Sequence, residues 1–182
     1  MSEVTVAIRY AKALIDLAAE QNSVEAVKDD MVLFYKTVRT SPELGAVLAN
    51  PIVSHSKKIA ILAQVFGTRV SKVSLAMFNI MVNKGRGEIL YATAHEFIAL
   101  YDIKNNITYA KVVSAAPLSE ANRQQMEADV QKAIGGTIKL NAQVDPSLIG
   151  GFVLTVGDRQ IDTSVSTSLR KIKKDFATIA TK

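Results

Sequence analysis

A chain of 182 residues, 48% of them apolar, has material for one large domain or two small ones, which excludes wholesale disorder. It contains no cysteine, which excludes disulfide scaffolds, zinc–thiolate sites, iron–sulfur clusters and thiol nucleophiles. The net charge of +5 is spread out, with 12 basic and 10 acidic residues up to Asn105 and 10 and 7 beyond it, so nucleic-acid binding is permitted but not demanded. Met1-Ser2-Glu3-Val4 lacks the basic stretch and apolar run of a secretory signal, and polar residues interrupt every apolar stretch before the roughly 20 residues needed to cross a bilayer. The expectation is a protein without membrane insertion that can still sit on a membrane complex.

In chain order, the spacing predicts a first helix over about 4–20, with Ala7, Tyr10, Ala11, Leu14 and Ala18 at three- and four-residue steps. A second covers about 23–40, carrying Val24, Val27, Met31, Phe34 and Val38 in register. Ser41-Pro42 reads as a cap followed by proline at the first helical position of a short third helix, which Asn50-Pro51 ends. A fourth runs from Ser54 to Phe66, and His55-Ser56-Lys57-Lys58 reads as its exposed first turn. A fifth lies between Ser71 and Gly85 and is apolar nearly all round, from Val73 to Val82, so it is either central or offers a second face to a partner. A sixth covers about 88–104, with Ile89, Ala92, Ala94, Phe97 and Tyr101. Six helices with short loops predict an antiparallel bundle over 1–105.

Beyond Asn105-Asn106 the period changes. Ile107 to Ser114 alternates and is β-branched, a strand pattern. Pro117 and Ser119 precede a helix bearing Met126, Val130, Ala133 and Ile134, which Gly135-Gly136 stops. Ile138, Leu140 and Val144 mark a second strand, Phe152–Val156 a third, and Arg159–Thr163 a fourth, with Gly157-Asp158 as the tight turn between the last two. Asp162 or Ser164 can cap a final helix with Leu169, Ile172, Phe176 and Ile179 on one side and Arg170, Lys171, Lys173 and Lys174 on the other. Residues 106–182 thus read as a small β-α-β-β-β-α domain, and the whole chain as α+β.

No catalytic constellation emerges. His95-Glu96 begins like a zinc-protease signature, but Ala99 stands where the second histidine is required. Gly85-Arg86-Gly87 is too short for a phosphate loop, and Gly150-Gly151 precedes a strand where phosphate cradles follow one. Asp145, Asp158 and Asp162 lie at turns, where capping explains them better than paired acid–base chemistry. Catalytic residues, metal ligands and cofactor-binding residues are therefore all expected to be none. The basic face at 170–174 reads as a solvated surface or a contact for acidic protein. RNA binding is the weaker alternative, because no pair of strand aromatics is available to stack bases. The alanines of helix one permit close approach of another helix, either from within the bundle or, beside helix five, from outside.

Four short motifs, in order, resemble a known family: Arg9-Tyr10-Ala11-Lys12-Ala13-Leu14, Asn83-Lys84-Gly85-Arg86, Val113-Ser114-Ala115-Ala116-Pro117-Leu118-Ser119, and Gly150-Gly151-Phe152-Val153 with Asp158 through Asp162. The chain is similar, nearly end to end, to the delta subunit of F-type ATP synthase, counterpart of the mitochondrial oligomycin-sensitivity-conferring protein. Thr155 departs from the charged or amide residue common there. The resemblance implies a non-catalytic stator of the peripheral stalk, on the cytoplasmic side of a bacterial plasma membrane, tying the catalytic head to the membrane-anchored b subunits so that rotor torque drives ATP synthesis. It implies that the N-terminal unit takes up the N-terminal helix of an alpha subunit between helices one and five, at Ala7, Tyr10, Ala11, Leu14, Phe78 and Val82. The C-terminal unit would meet the C-terminal helices of the b subunits, with Leu169, Ile172 and Phe176 as candidates. On this expectation, Tyr10→Ala with Phe78→Asp weakens capture of the alpha peptide and leaves the circular dichroism nearly unchanged.

Overall fold

The computed structural model describes residues 3–180, with side chains through Lys174. The chain divides into two compact units, Met1–Asp102 and Ile103–Lys182. The fold is α+β, with eight α-helices and a four-stranded mixed sheet among the described residues.

The first unit comprises α1 (Glu3–Glu20), α2 (Val24–Thr40), α3 (Pro42–Ala49), α4 (His55–Phe66), α5 (Lys72–Asn83), a 3₁₀ turn (Gly87–Ile89) and all but the last two residues of α6 (Leu90–Lys104). Local chemistry sets several of the ends. Pro42 opens α3, where its missing N–H costs nothing. The Ser71 hydroxyl accepts from the Ser74 amide at 3.3 Å and so caps α5, while Gly85 terminates that stretch at φ 71°. The core gathers one stripe from each of the long helices. Phe34 lies 4.7 Å from Phe78 and 5.3 Å from Phe66 between ring centroids, and Leu14, Met31, Leu62, Met81, Leu90 and Phe97 are all buried in the same unit. Each such aromatic pair adds about 0.5–1.5 kcal/mol beyond area burial.

Polar groups inside this unit were not foreseen from hydrophobic spacing. Asp30 on α2 is buried, and its carboxylate accepts from the Ser71 amide at 2.8 Å and from the Ser74 hydroxyl at 2.7 Å, tying α2 to the start of α5 across 41 residues of sequence. Lys58 corrects the expectation of an exposed first turn in α4. It is buried, and its ammonium donates to the Leu48 carbonyl at 2.7 Å, satisfying an end carbonyl of α3.

The second unit comprises β1 (Ile107–Ser114), α7 (Glu120–Ile134), β2 (Thr137–Val144), a 3₁₀ turn (Pro146–Leu148), β3 (Phe152–Val156), β4 (Arg159–Asp162) and α8 (Val165–Ala180). The sheet order is β2-β1-β3-β4. β1 and β2 pair in parallel, which requires a crossover such as α7, and the other two pairs are antiparallel. β3 and β4 form a hairpin with Val156 opposite Arg159, so Gly157-Asp158 is a two-residue loop with positive φ at its glycine. Ala110, Val112, Ile138, Leu140, Leu154 and Val156 pack with Val130 of α7 on one face. The two-residue strand period sends Tyr109 and Lys111 to the other.

Gly151 sits at φ 74°, where a Cβ would meet the Thr163 carbonyl oxygen at 2.3 Å. That close approach brings the Val165 amide to the Gly150 carbonyl at 3.0 Å and anchors the start of α8. Both candidate caps act together. The Asp162 carboxylate accepts from the Ser164 amide at 2.8 Å and from the Thr167 hydroxyl at 2.8 Å, and the Ser164 hydroxyl accepts from the Thr167 amide at 3.3 Å. From Ser168 through Lys174 every residue of α8 is exposed.

Candidate partner-binding surfaces

On α1 the apolar arc is wider than a core needs. Ala7, Ala11, Leu14, Ile15 and Ala18 point inward and are at most 6% exposed. A second row, Val6, Tyr10, Ala13 and Leu17, recurs at steps of four, three and four residues beside the first. α5 repeats the arrangement. Phe78, Met81 and Val82 face the core, whereas Ala76 and Ile80 face outward. Helix five therefore contributes to the core and also carries outward-facing apolar side chains.

These placements bear on the residue set expected to receive an alpha-subunit helix. Ala7, Ala11, Leu14, Phe78 and Val82 are each 1% exposed or less, and their surfaces are already taken by neighbouring helices of the same unit. Only Tyr10 of the six is partly open. The physical reason is that close packing assigns the alanine stripe to internal helix contacts, leaving no free surface there. Phe78→Asp would place a carboxylate inside the core, so it would unfold the unit instead of testing a surface.

What α1 and α5 do present is a groove one residue away. Leu17, Gln21, Val73, Ala76, Met77 and Ile80 line a hollow of about 370 Å³, and Val6, Arg9, Tyr10, Ala13 and Arg86 line a second of about 200 Å³ towards the start of α1. Ile80 is 51% exposed and Leu17 42%, so apolar area stays in contact with water along its length. The Arg86 guanidinium donates from Nη1 to the Tyr10 hydroxyl at 2.8 Å and lies 5.4 Å from that ring's centroid. The sequence carried one signal for this groove: α1 is apolar at 4, 6, 8, 13 and 17 in addition to its core stripe.

A second apolar surface lies on α8. Leu169 and Ile172 are 52% and 51% exposed, and Val165 precedes them on the same stripe. Arg170, Lys171, Lys173 and Lys174 flank that stripe in solvent. Phe176 and Ile179 lie outside the residues whose side chains are described. The capping of α8 holds the Asp162 carboxyl below its ordinary range, chiefly through the hydrogen bond from the Ser164 amide.

The histidine and turn aspartate singled out in the sequence make local contacts. His95 stands 3.5 Å from the Glu96 carboxylate on the surface, beside the Tyr35 ring. Asp145 accepts from the Ser147 amide at 2.9 Å in a turn, and hydrogen bonding with Ser147 lowers its pKa. The open sheet face offers Tyr109 but no second strand aromatic among the described residues, so RNA binding gains no support.

Comparison with known proteins adds an independent finding. A family model described as ATP synthase delta (OSCP) subunit matches residues 6–176. The ATP synthase subunit delta of Cytophaga hutchinsonii is 36% identical over 176 residues, covering 97% of this chain and 96% of that protein. That of Flavobacterium johnsoniae is also 36% identical, with 97% and 99% covered, and a chloroplastic subunit delta from Ochrosphaera neapolitana is 34% identical, with 94% and 97% covered. A chain of the Toxoplasma gondii mitochondrial ATP synthase hexamer shares the fold, with a TM-score of 0.67 at 23% identity over 94% of this chain and 97% of that one.

Proposed function

Because the chain belongs to the ATP synthase delta (OSCP) family, and is thereby a non-catalytic peripheral-stalk subunit of F-type ATP synthase, we propose that its two units grip different partners through the two apolar surfaces just described. The six helices of the first unit act as an antiparallel bundle whose α1–α5 groove takes up the N-terminal helix of an alpha subunit. Residues 106–182 act as the contact for the b subunits, with Leu169, Ile172 and Phe176 of α8 laid against C-terminal b helices. The observation that carries this reading is the half-exposed apolar row on both walls of the groove, with Ile80 on α5 and Leu17 on α1 lining the larger hollow.

The mechanism is mechanical. Torque from the turning rotor would spin the catalytic head, and a subunit joined to both head and stalk opposes that rotation. Helix burial supplies the hold at about 25 cal/mol per Å² of apolar area removed from water, less the cost of association. No described helix is long and apolar enough to cross a membrane. Membrane association accordingly comes through the complex, on the cytoplasmic side of a bacterial plasma membrane in this reading.

The test is calorimetric titration of the full chain with two peptides, one from the N-terminus of an alpha subunit and one from the C-terminus of a b subunit. Ile80→Asp should abolish capture of the first and spare the second, and Leu169→Asp should do the reverse. If both variants bind both peptides as the parent does, these surfaces are not the grips.

A further inference from the structure

We propose that the Arg9–Arg86 end of the α1–α5 groove is a carboxylate clamp, which requires an Asp or Glu side chain on the helix that docks there. The inference rests on the reading that the groove holds a helix, and it adds what that helix must carry. Among the side chains lining the two hollows, three are cationic, Arg9, Arg86 and Lys72, and none is acidic. Among the described residues neither Arg9 nor Arg86 has a carboxylate within 4 Å. Two guanidiniums therefore share one small hollow with no counter-charge.

The geometry favours a fixed acceptor over a diffuse cloud of ions. Tyr10 holds Arg86 twice, by the 2.8 Å bond from Nη1 to its hydroxyl and by the ring beneath the guanidinium. One of five N–H donors is thus occupied, and the planar fork is oriented with the rest available. A pre-oriented guanidinium suits bidentate binding of a carboxylate, which an ammonium cannot reproduce. Docking an apolar helix would also exclude water from the hollow and strengthen that pairing. The lining runs from Val6 to Gln21 on α1, which at the helical rise is about 22 Å, so the occupant is an amphipathic helix of roughly 15 residues with its acidic side chain at the Arg86 end. Lys72, exposed at the positive start of α5, favours acidity at the other end as well.

The experiment uses the full chain and the N-terminal peptide of the alpha subunit as probe, with affinities measured at low and high salt. Arg86→Gln is expected to weaken binding about tenfold at low salt and to flatten the salt dependence, with Arg86→Lys restoring only part of the loss. Changing the peptide's acidic residues singly to their amides should reveal one position whose loss adds nothing in the Arg86→Gln background. Thermal unfolding should shift by only a few degrees, because the Arg86 contacts with Tyr10 that are lost lie at an exposed site. If Arg86→Gln binds like the parent while Ile80→Asp abolishes binding, the clamp is wrong and the groove stands. If neither substitution matters, the groove reading fails and takes the clamp with it.

Discussion

Phe78 and Ile80 stand two residues apart on α5, and the fold assigns them opposite duties. Phe78 is 1% exposed, with ring centroids 4.7 Å from Phe34 and 6.1 Å from Phe66, whereas Ile80 is 51% exposed. Phe78→Ala leaves a cavity among those rings and should cost about 3–5 kcal/mol of stability. For a unit of this size each kcal/mol is worth roughly 4–8 °C, so the midpoint should fall by about 20 °C. Ile80→Ala removes a side chain only half covered, and complete burial of such a side chain is worth about 1.5–3 kcal/mol. The folding loss should therefore be about 1 kcal/mol or less, and the uncovered half should appear as roughly fivefold weaker binding of the alpha-subunit peptide. Urea unfolding followed by far-ultraviolet circular dichroism, with calorimetry on the same samples, separates the two. A Phe78→Ala protein destabilised by less than about 1 kcal/mol, or an Ile80→Ala protein destabilised as much as Phe78→Ala, would refute the assignment of inner and outer faces.

Three further outcomes follow from the polar contacts. Asp30→Ala strips the buried Ser74 hydroxyl and the Ser71 amide of their acceptor and should cost about 1–3 kcal/mol in the same urea assay, with α5 amides exchanging fastest. Tyr101 donates to the Glu25 carboxylate at 2.5 Å, which pushes its pKa from 10.0 up to about 12. The folded state thus binds a proton that the unfolded state releases, so this stabilisation is complete below pH 10 and disappears as pH rises towards 12. Tyr101→Phe should flatten the alkaline slope of an unfolding-versus-pH curve, and an unchanged slope would count against the bond. Asp162 works in the opposite direction, since its carboxyl is depressed below 3.8 by the Ser164 amide, the Ser164 hydroxyl and the Thr167 hydroxyl. Its capping is present at neutral pH and lost as pH falls through the folded value, so the Ser164 amide, which donates to this carboxylate, should lose protection against exchange in acid, relative to its intrinsic rate, and Asp162→Ala should show that loss already at about pH 7.

The sequence by itself determined the order of the elements and most of what each contributes to a core. Helical spacing at Val27, Met31, Phe34 and Val38, and alternation at Ala110, Val112 and Leu154, report burial because a regular backbone turns period directly into a face. Turn chemistry was equally local: the two-residue Gly157-Asp158 loop and the Asp162–Ser164 cap depend on neighbours a few residues away. Tertiary structure alone decided which of two adjacent apolar stripes on α1 and α5 is core and which is surface. Ala7 and Val6, or Phe78 and Ile80, have similar credentials in one dimension, and only the presence or absence of a packed neighbour separates them. The same holds for Asp30, whose partners lie 41 and 44 residues away, and for Lys58, buried because a carbonyl of α3 happens to end beside it. Contacts between residues distant in sequence leave no periodic trace in the chain, so the groove became visible only once α1 and α5 were brought side by side.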